Sequence, residues 1–196
     1  MVRGLTKQRE SIDLRGDLMR SRTYKTYAAV LLIGLMPSSL NAASGNDLMG
    51  QASIIDGDTL EIHDTRIRLW GIDAPEHNQL CRGDDSLPYR CGAKAANDLY
   101  DFIARRPVVC LPREMDRYGR TVAICSVAGV DLGHWLTSHG LALDWPQYSR
   151  GYYADAQSDA KREALGMWSG SFVEPWLFRA CLRGGGRPSD CSDDAR

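Results

Sequence analysis

Apolar and polar residues alternate along this chain with two different periods, and the changes of period mark its elements. Ala52–Ile55 and Thr59–His63 read as strands flanking Asp56-Gly57, a strong hairpin signal. Arg66–Ile72, "RIRLWGI", alternates charge and bulk as a third strand. Asp73-Ala74-Pro75 ends it, because Pro75 lacks the N–H that a ladder needs. His77–Cys91 is polar, with Gly83, Asp84, Asp85 and Pro88, and is expected as a loop. Over Ala93–Arg105 the period lengthens, and Ala96, Leu99, Tyr100 and Ile103 fall at helical spacing. Val108–Leu111 and Thr121–Val127 return to strand around "PREMDRYGR". Asp131–His139 is a short helix that Asp131 can cap, with Leu132, Trp135 and Leu136 on its apolar face and Gly140 closing it. Ala154–Leu165 is a third helix, with Ala156, Ala160 and Ala164 in one stripe and Gly166 as its stop. Trp168, Phe172 and Trp176 are expected to cover core apolar surface, and "GGGRPSDCSDDAR" beyond Arg183 reads as a tail with little to bury.

Five strands and three helices result, with the first helix between strands three and four. That order favours an α+β fold, a small closed five-stranded OB-type barrel, over a parallel sheet, which needs a helix after each strand. A length of 196 residues suits one domain with tails.

The N-terminal segment stands apart from this pattern. Tyr27–Met36, "YAAVLLIGLM", is apolar but short of the roughly 20 residues that cross a bilayer. Arg20, Arg22 and Lys25 precede it and "PSSLNAAS" follows, the order of a secretory signal peptide rather than a buried helix or an anchor. Residues 1–43 are therefore expected to be a signal cut near Ala42–Ser44, with Met19 as an alternative start. A linker over 44–51, a barrel domain over 52–170 and a cysteine-containing extension over 171–196 follow. The product is expected in the periplasm or the medium, free of the membrane once the signal is removed.

Cysteine usage agrees with export, because all six cysteines lie beyond residue 43 and their number is even. Spacing favours local pairs: Cys110 with Cys125 across antiparallel strands, Cys81 with Cys91 in one loop, and Cys181 with Cys191 in the extension. No C-x-x-C or Cys/His cluster supports zinc instead. Residues 1–43 hold seven of the 24 basic and three of the 25 acidic residues, so the remainder has a net charge near −5. This argues against non-specific nucleic-acid binding through a broad basic face, yet leaves room for a few focused arginines.

Such focus is visible between Ile54 and His77, where Asp56, Asp58, Asp73 and Glu76 surround Arg68 at the ends of apolar runs. Phosphodiester hydrolysis requires a metal or cations to neutralise the phosphate, a base for water, and donors for the developing charge. Hard divalent ions take carboxylate and carbonyl oxygens, and arginine binds phosphate in bidentate fashion. Arg120, ending the tight turn "DRYGR", is placed to reach across a cleft. Singly, each feature has a bland explanation: Asp56-Gly57 as a mere turn, Arg68 as a surface ion-pair partner, "DRYGR" as an ordinary loop. Their combination carries the signal.

"IDGDT", "RIRLWGIDAPE" and "DRYGR", in that order, resemble the staphylococcal nuclease (thermonuclease) family, and the similarity runs through "LGHWLTSHGLA" to "AKREALGMW". The resemblance implies a five-stranded OB-type barrel with three helices and calcium-dependent cleavage of DNA and RNA to 3′-phosphate products. It makes Asp58, Asp73 and the backbone carbonyl of Ala74 calcium ligands; Ala74 stands where the family usually has Thr. Asp56 matches an acidic position acting through water, and Glu76 the general base. Arg68 and Arg120 match the arginines that bind the scissile phosphate, and Arg117 and Tyr118 line a terminal phosphate.

Tyr148 is a candidate for stacking on a base, with Tyr152 and Tyr153 as substitutes and barrel-edge packing as the rival explanation. Trp70, Trp135 and Trp145 are expected in the core, and His63, His77, His134 and His139 as surface or structural residues. The alternative function is a non-catalytic OB-type nucleic-acid-binding domain; intact Glu76, Arg68 and Arg120 speak against it. A calcium-binding structural domain leaves both arginines unexplained. The chain is expected to be a monomer, with nucleic acid as its partner.

Overall fold

The structure is a computed structural model describing residues 48–192; the expected signal segment lies outside the described residues. Strands Leu48–Gly50 (β1), Ser53–Asp56 (β2), Thr59–Ile62 (β3), Thr65–Leu69 (β4) and Ile72–Asp73 (β5) come first. A small hairpin, Cys81–Arg82 (β6) with Pro88–Tyr89 (β7), leads into helix Cys91–Ile103 (α1). Next are Val108–Met115 (β8), Thr121–Val127 (β9), Val130–Asp131 (β10), Leu132–Ser138 (α2) and Leu143–Asp144 (β11). Helices Pro146–Ser149 (α3), Ala154–Arg162 (α4), Pro175–Arg183 (α5) and Pro188–Ser192 (α6) complete the chain.

The main sheet runs β1-β8-β9-β4-β3-β2, with β10 beside β9. All its pairings are antiparallel except β4 with β9. Ala95, Leu99 and Ile103 of α1 pack on Leu60, Ile62, Ile67 and Val108 to form the core. Leu99 is wholly buried; its truncation to Ala is expected to cost ~2–5 kcal/mol. The expected α+β, OB-type class is the one observed.

Several elements differ from their expected bounds for identifiable reasons. Gly71 takes φ +74° and breaks the predicted third strand into β4 and β5. β8 extends to Met115, and the register shift between Pro112 and Glu114 accommodates the proline, which has no N–H for the ladder. Leu48–Gly50, within the stretch read as linker, pairs with Val108–Cys110. Asp131 caps α2 as expected, its carboxylate accepting the His134 N–H at 3.1 Å.

All three expected disulfides are present: Cys81–Cys91, Cys110–Cys125 and Cys181–Cys191. The segment expected as a tail corrects the sequence reading, because Cys191 and Ser192 are buried and α6 sits within it. The Leu80 N–H donates to Ser192 Oγ at 2.9 Å, tying that end to the loop after Glu76. Phe178 of α5 is also fully buried.

Candidate functional site

Strand register assembles the acids around Arg68. Thr59 pairs with Arg68, which sets Asp58 beside the arginine, and the Gly71 turn carries Asp73 back toward it. Arg68 Nη2 lies 3.0 Å from Asp58 Oδ2 and 2.7 Å from Asp73 Oδ1. One nitrogen thus touches both carboxylates, so the two converge. Asp58 Oδ2 also accepts the Ala74 N–H at 3.1 Å. Burial, helped by the neighbouring Asp58 carboxylate, outweighs the hydrogen bond and charge of Arg179 and the charge of Arg68, and leaves Asp73 above the usual carboxylate range. Burial and the carboxylates of Asp58 and Glu76 push Asp56 up to about 7.

A residue beyond the predicted set completes this acidic pole. Arg179, on α5, clamps Asp73 with Nη2–Oδ2 at 2.7 Å and Nη1–Oδ1 at 3.0 Å, and its Nη1 also reaches Glu76 Oε1 at 2.9 Å. Burial works against its charge, but Asp73 and Glu76 outweigh that and raise its pKa. Trp145 packs against both guanidiniums, 5.8 Å from Arg68 and 5.6 Å from Arg179.

Glu76 is held from behind. The fully buried Gln79 accepts the Glu76 N–H through Oε1 at 3.3 Å and donates through Nε2 to Val173 O at 2.6 Å. Gly92, near the start of α1, lies under the same segment; a Cβ there would meet the Glu76 carbonyl oxygen at 1.8 Å. Only glycine permits that approach without a backbone shift.

The opposite wall is the β8–β9 turn. Asp116 Oδ1 accepts the N–H groups of Tyr118 and Arg120, each at 2.9 Å, while Oδ2 takes Arg120 Nε at 2.7 Å. Burial raises Asp116, but these bonds and the charge of Arg120 win and lower it. Arg117 and Arg120 stand over the exposed Tyr118 ring at 4.8 and 5.6 Å.

Between the walls lies a cleft of about 840 Å³, lined by Arg68, Glu76, Arg120, Tyr148 and Arg179 among others. Arg117 and Tyr118 reach it, whereas Asp56, Asp58, Asp73 and Ala74 lie off its lining. Tyr148 is half exposed there, while Tyr153 is buried and donates its hydroxyl to Asp131, which makes it a packing residue. Trp70 and Trp145 line the cleft, so the expectation of purely core roles is corrected for them. Trp135 stacks on Phe102 at 4.1 Å, as a packing residue does. None of the four histidines lines the cleft.

The donor chemistry of Asp58, Asp73 and Glu76, hard oxygens reached by shared guanidinium nitrogens, fits a divalent cation such as calcium. Yet among the described residues no group of three or more His, Cys, Asp or Glu stands as a ready cage, and arginines pair with Asp73 and Glu76.

The family model described as "Staphylococcal nuclease homologue" matches residues 66–170. A succinoglycan biosynthesis protein, ExoI, of Rhizobium meliloti is 42% identical over 150 residues, covering 76% of this chain and 78% of that protein. A micrococcal nuclease of Shigella flexneri is 30% identical over 172 residues, covering 78% of this chain and 88% of that protein. An uncharacterized endonuclease of Escherichia coli is 29% identical over 133 residues, covering 64% and 80% respectively.

Proposed function

The chain belongs to the staphylococcal nuclease family and is a nuclease, and we propose that it hydrolyses DNA and RNA with calcium at the acidic pole of its cleft. The meeting of Asp58 and Asp73 on Arg68, and of Asp73 and Glu76 on Arg179, with Arg120 on the opposite wall, is the observation that carries this reading. Asp58, Asp73 and the Ala74 carbonyl would hold the ion, with Asp56 acting through water. When bound, calcium supplies Lewis-acid polarisation of the phosphate.

The remaining chemistry belongs to side chains. Glu76 takes the proton from the attacking water as general base. Arg68 and Arg120 meet the phosphoryl oxygens from opposite walls and stabilise the charge that builds on them. In-line attack breaks the P–O5′ bond, leaving a 3′-phosphate on one product and, once the departing oxygen takes a proton from solvent, a 5′-hydroxyl on the other. Arg117 and Tyr118 receive a terminal phosphate, and Tyr148 offers its ring to a base. The three disulfides favour an exported location, with the first 43 residues acting as a cleaved signal.

Cleavage of single-stranded DNA by the chain from Ser44, with calcium or a chelator, tests the proposal. Cutting that needs calcium and falls ~10²–10⁴-fold in folded Glu76→Gln is expected. A folded, disulfide-intact wild type that cuts equally well in chelator would sink the calcium reading.

A further inference from the structure

We propose that Arg179 is a tethered counter-cation that occupies the acidic pole in the metal-free protein, and that divalent-cation binding displaces it. The inference rests on the calcium reading above and adds a residue to it. Arg179 lies beyond residue 170, where the family match ends, so the extension brings it to the site.

The geometry is that of direct competition. Both oxygens of Asp73 are taken by Arg179, and Glu76 Oε1 by the same guanidinium. A hard cation needs those lone pairs, and two positive groups cannot share them without repulsion at close range. Glu76 gains from the exchange, because the oxygen that would accept the proton from water is released from its arginine.

The extension is built to deliver this side chain. Pro175 starts α5, the buried Phe178 anchors it, and Cys181–Cys191 joins it to α6. Backbone bonds Arg82 N–H to Ser171 O at 2.8 Å and Ser171 N–H to Arg82 O at 3.2 Å stitch its approach to the Cys81–Cys91 loop. Gln79 binds Val173 as well as the Glu76 backbone, so one loop holds both the competitor and the base. A side chain tethered in this way competes at a local concentration set by the scaffold, not by bulk solution. Trp176, Arg179 and Arg183, at i, i+3 and i+7 on α5, all line the cleft, so the guanidinium has somewhere to go when it leaves Asp73.

A purely structural ion pair makes the opposite prediction, which is what allows a test. Calcium binding is measured by calorimetry, and thermal unfolding by circular dichroism with and without calcium, for wild type, Arg179→Gln, Arg179→Lys and Arg183→Gln. Arg179→Gln is expected to unfold at lower temperature without metal yet bind calcium on the order of tenfold more tightly. Arg179→Lys, which keeps the charge and loses the bidentate fork, serves if the Gln variant does not fold and should bind several-fold more tightly than wild type. Arg183→Gln, which alters the charge of the same cleft, should bind as wild type does.

Equal or weaker calcium binding by both Arg179 variants while wild type binds overturns the displacement and leaves the calcium nuclease standing. Equal tightening in the Arg183 variant also overturns it, since general cleft charge would then suffice. Failure of wild type and every variant to bind calcium overturns both readings. Binding by the Arg179 variants alone supports the displacement strongly.

Discussion

The two walls of the cleft use arginine in different ways. On the acidic wall Arg68 and Arg179 are partly buried and locked onto carboxylates, with Arg68 Nη2 as close as 2.7 Å to Asp73. On the turn wall Arg120 is as buried as Arg179, but its carboxylate partner Asp116 is less buried than Asp73, and Arg117 and Tyr118 project to solvent. The first arrangement balances charge inside the protein; the second presents charge to something outside it. Removing an arginine from the first leaves buried carboxylates unpaired, whereas removing one from the second leaves mainly a weaker hold on substrate.

The sharpest test of that contrast is a pair of truncations. Arg68→Ala is expected to cost ~3–5 kcal/mol of metal-free stability, because buried carboxylates lose a direct partner, and to lower cleavage as well. Arg120→Ala is expected to lose ~10²–10³-fold in kcat with stability nearly unchanged, the effect of deleting one transition-state donor. Urea unfolding and single-turnover kinetics on both proteins decide it. Comparable stability losses would break the distinction between the walls.

Metal linkage separates the walls a second time. Calcium at about one hundred times its Kd should raise the unfolding free energy of wild type by about 2.7 kcal/mol, and a chelator should reverse the gain. Arg120→Ala should keep that increment and Asp73→Asn should lose it. An increment surviving in Asp73→Asn would move the ion away from the acidic wall.

The difference between the walls also explains how much could be read from the chain. Asp56, Asp58, Arg68, Asp73 and Glu76 lie within 21 consecutive residues, on strands and turns whose period and breakers are local signals. "DRYGR" is equally local, since its bonds span at most four residues. Arg179 meets Asp73 and Glu76 across sequence separations of 106 and 103, and no short-range pattern reports such a contact. A trace was present: Pro175 at a helix start, followed by Trp176, Arg179 and Arg183 on one face. The Cys181–Cys191 pair was legible, but the burial of Cys191 and Ser192 was not, because that polar, glycine-rich stretch is buried only by the distant Leu80 loop. Gly92 matters through a carbonyl sixteen residues earlier, and a glycine at a helix start has more ordinary explanations.

Aromatic contacts test the solvent-facing part of the cleft with a smaller effect. Tyr148, half exposed and edge-on to Trp145 at 4.6 Å, is placed to stack on a base. Tyr148→Ala should weaken single-stranded DNA binding by ~1–3 kcal/mol, seen in KM with kcat retained. Loss of kcat without change in KM would assign the ring to the chemistry instead.

A last effect concerns pH and returns to the acidic wall. Asp56 titrates near 7 in the folded protein, above its ordinary value of 3.8, because burial and two neighbouring carboxylates disfavour its charge. A group raised on folding contributes stability that is complete at low pH and is lost as pH climbs through the folded value. Metal-free wild type should therefore lose Asp56's contribution between about pH 4 and 7. Asp56→Asn removes the ionisation and should flatten that decline, so its stability relative to wild type rises from pH 5 to pH 8. The comparison needs only urea midpoints at the two pH values in chelator. An unchanged slope in the variant would mean that the crowding of acids at this pole is relieved elsewhere, with Arg68 and Arg179 already absorbing it.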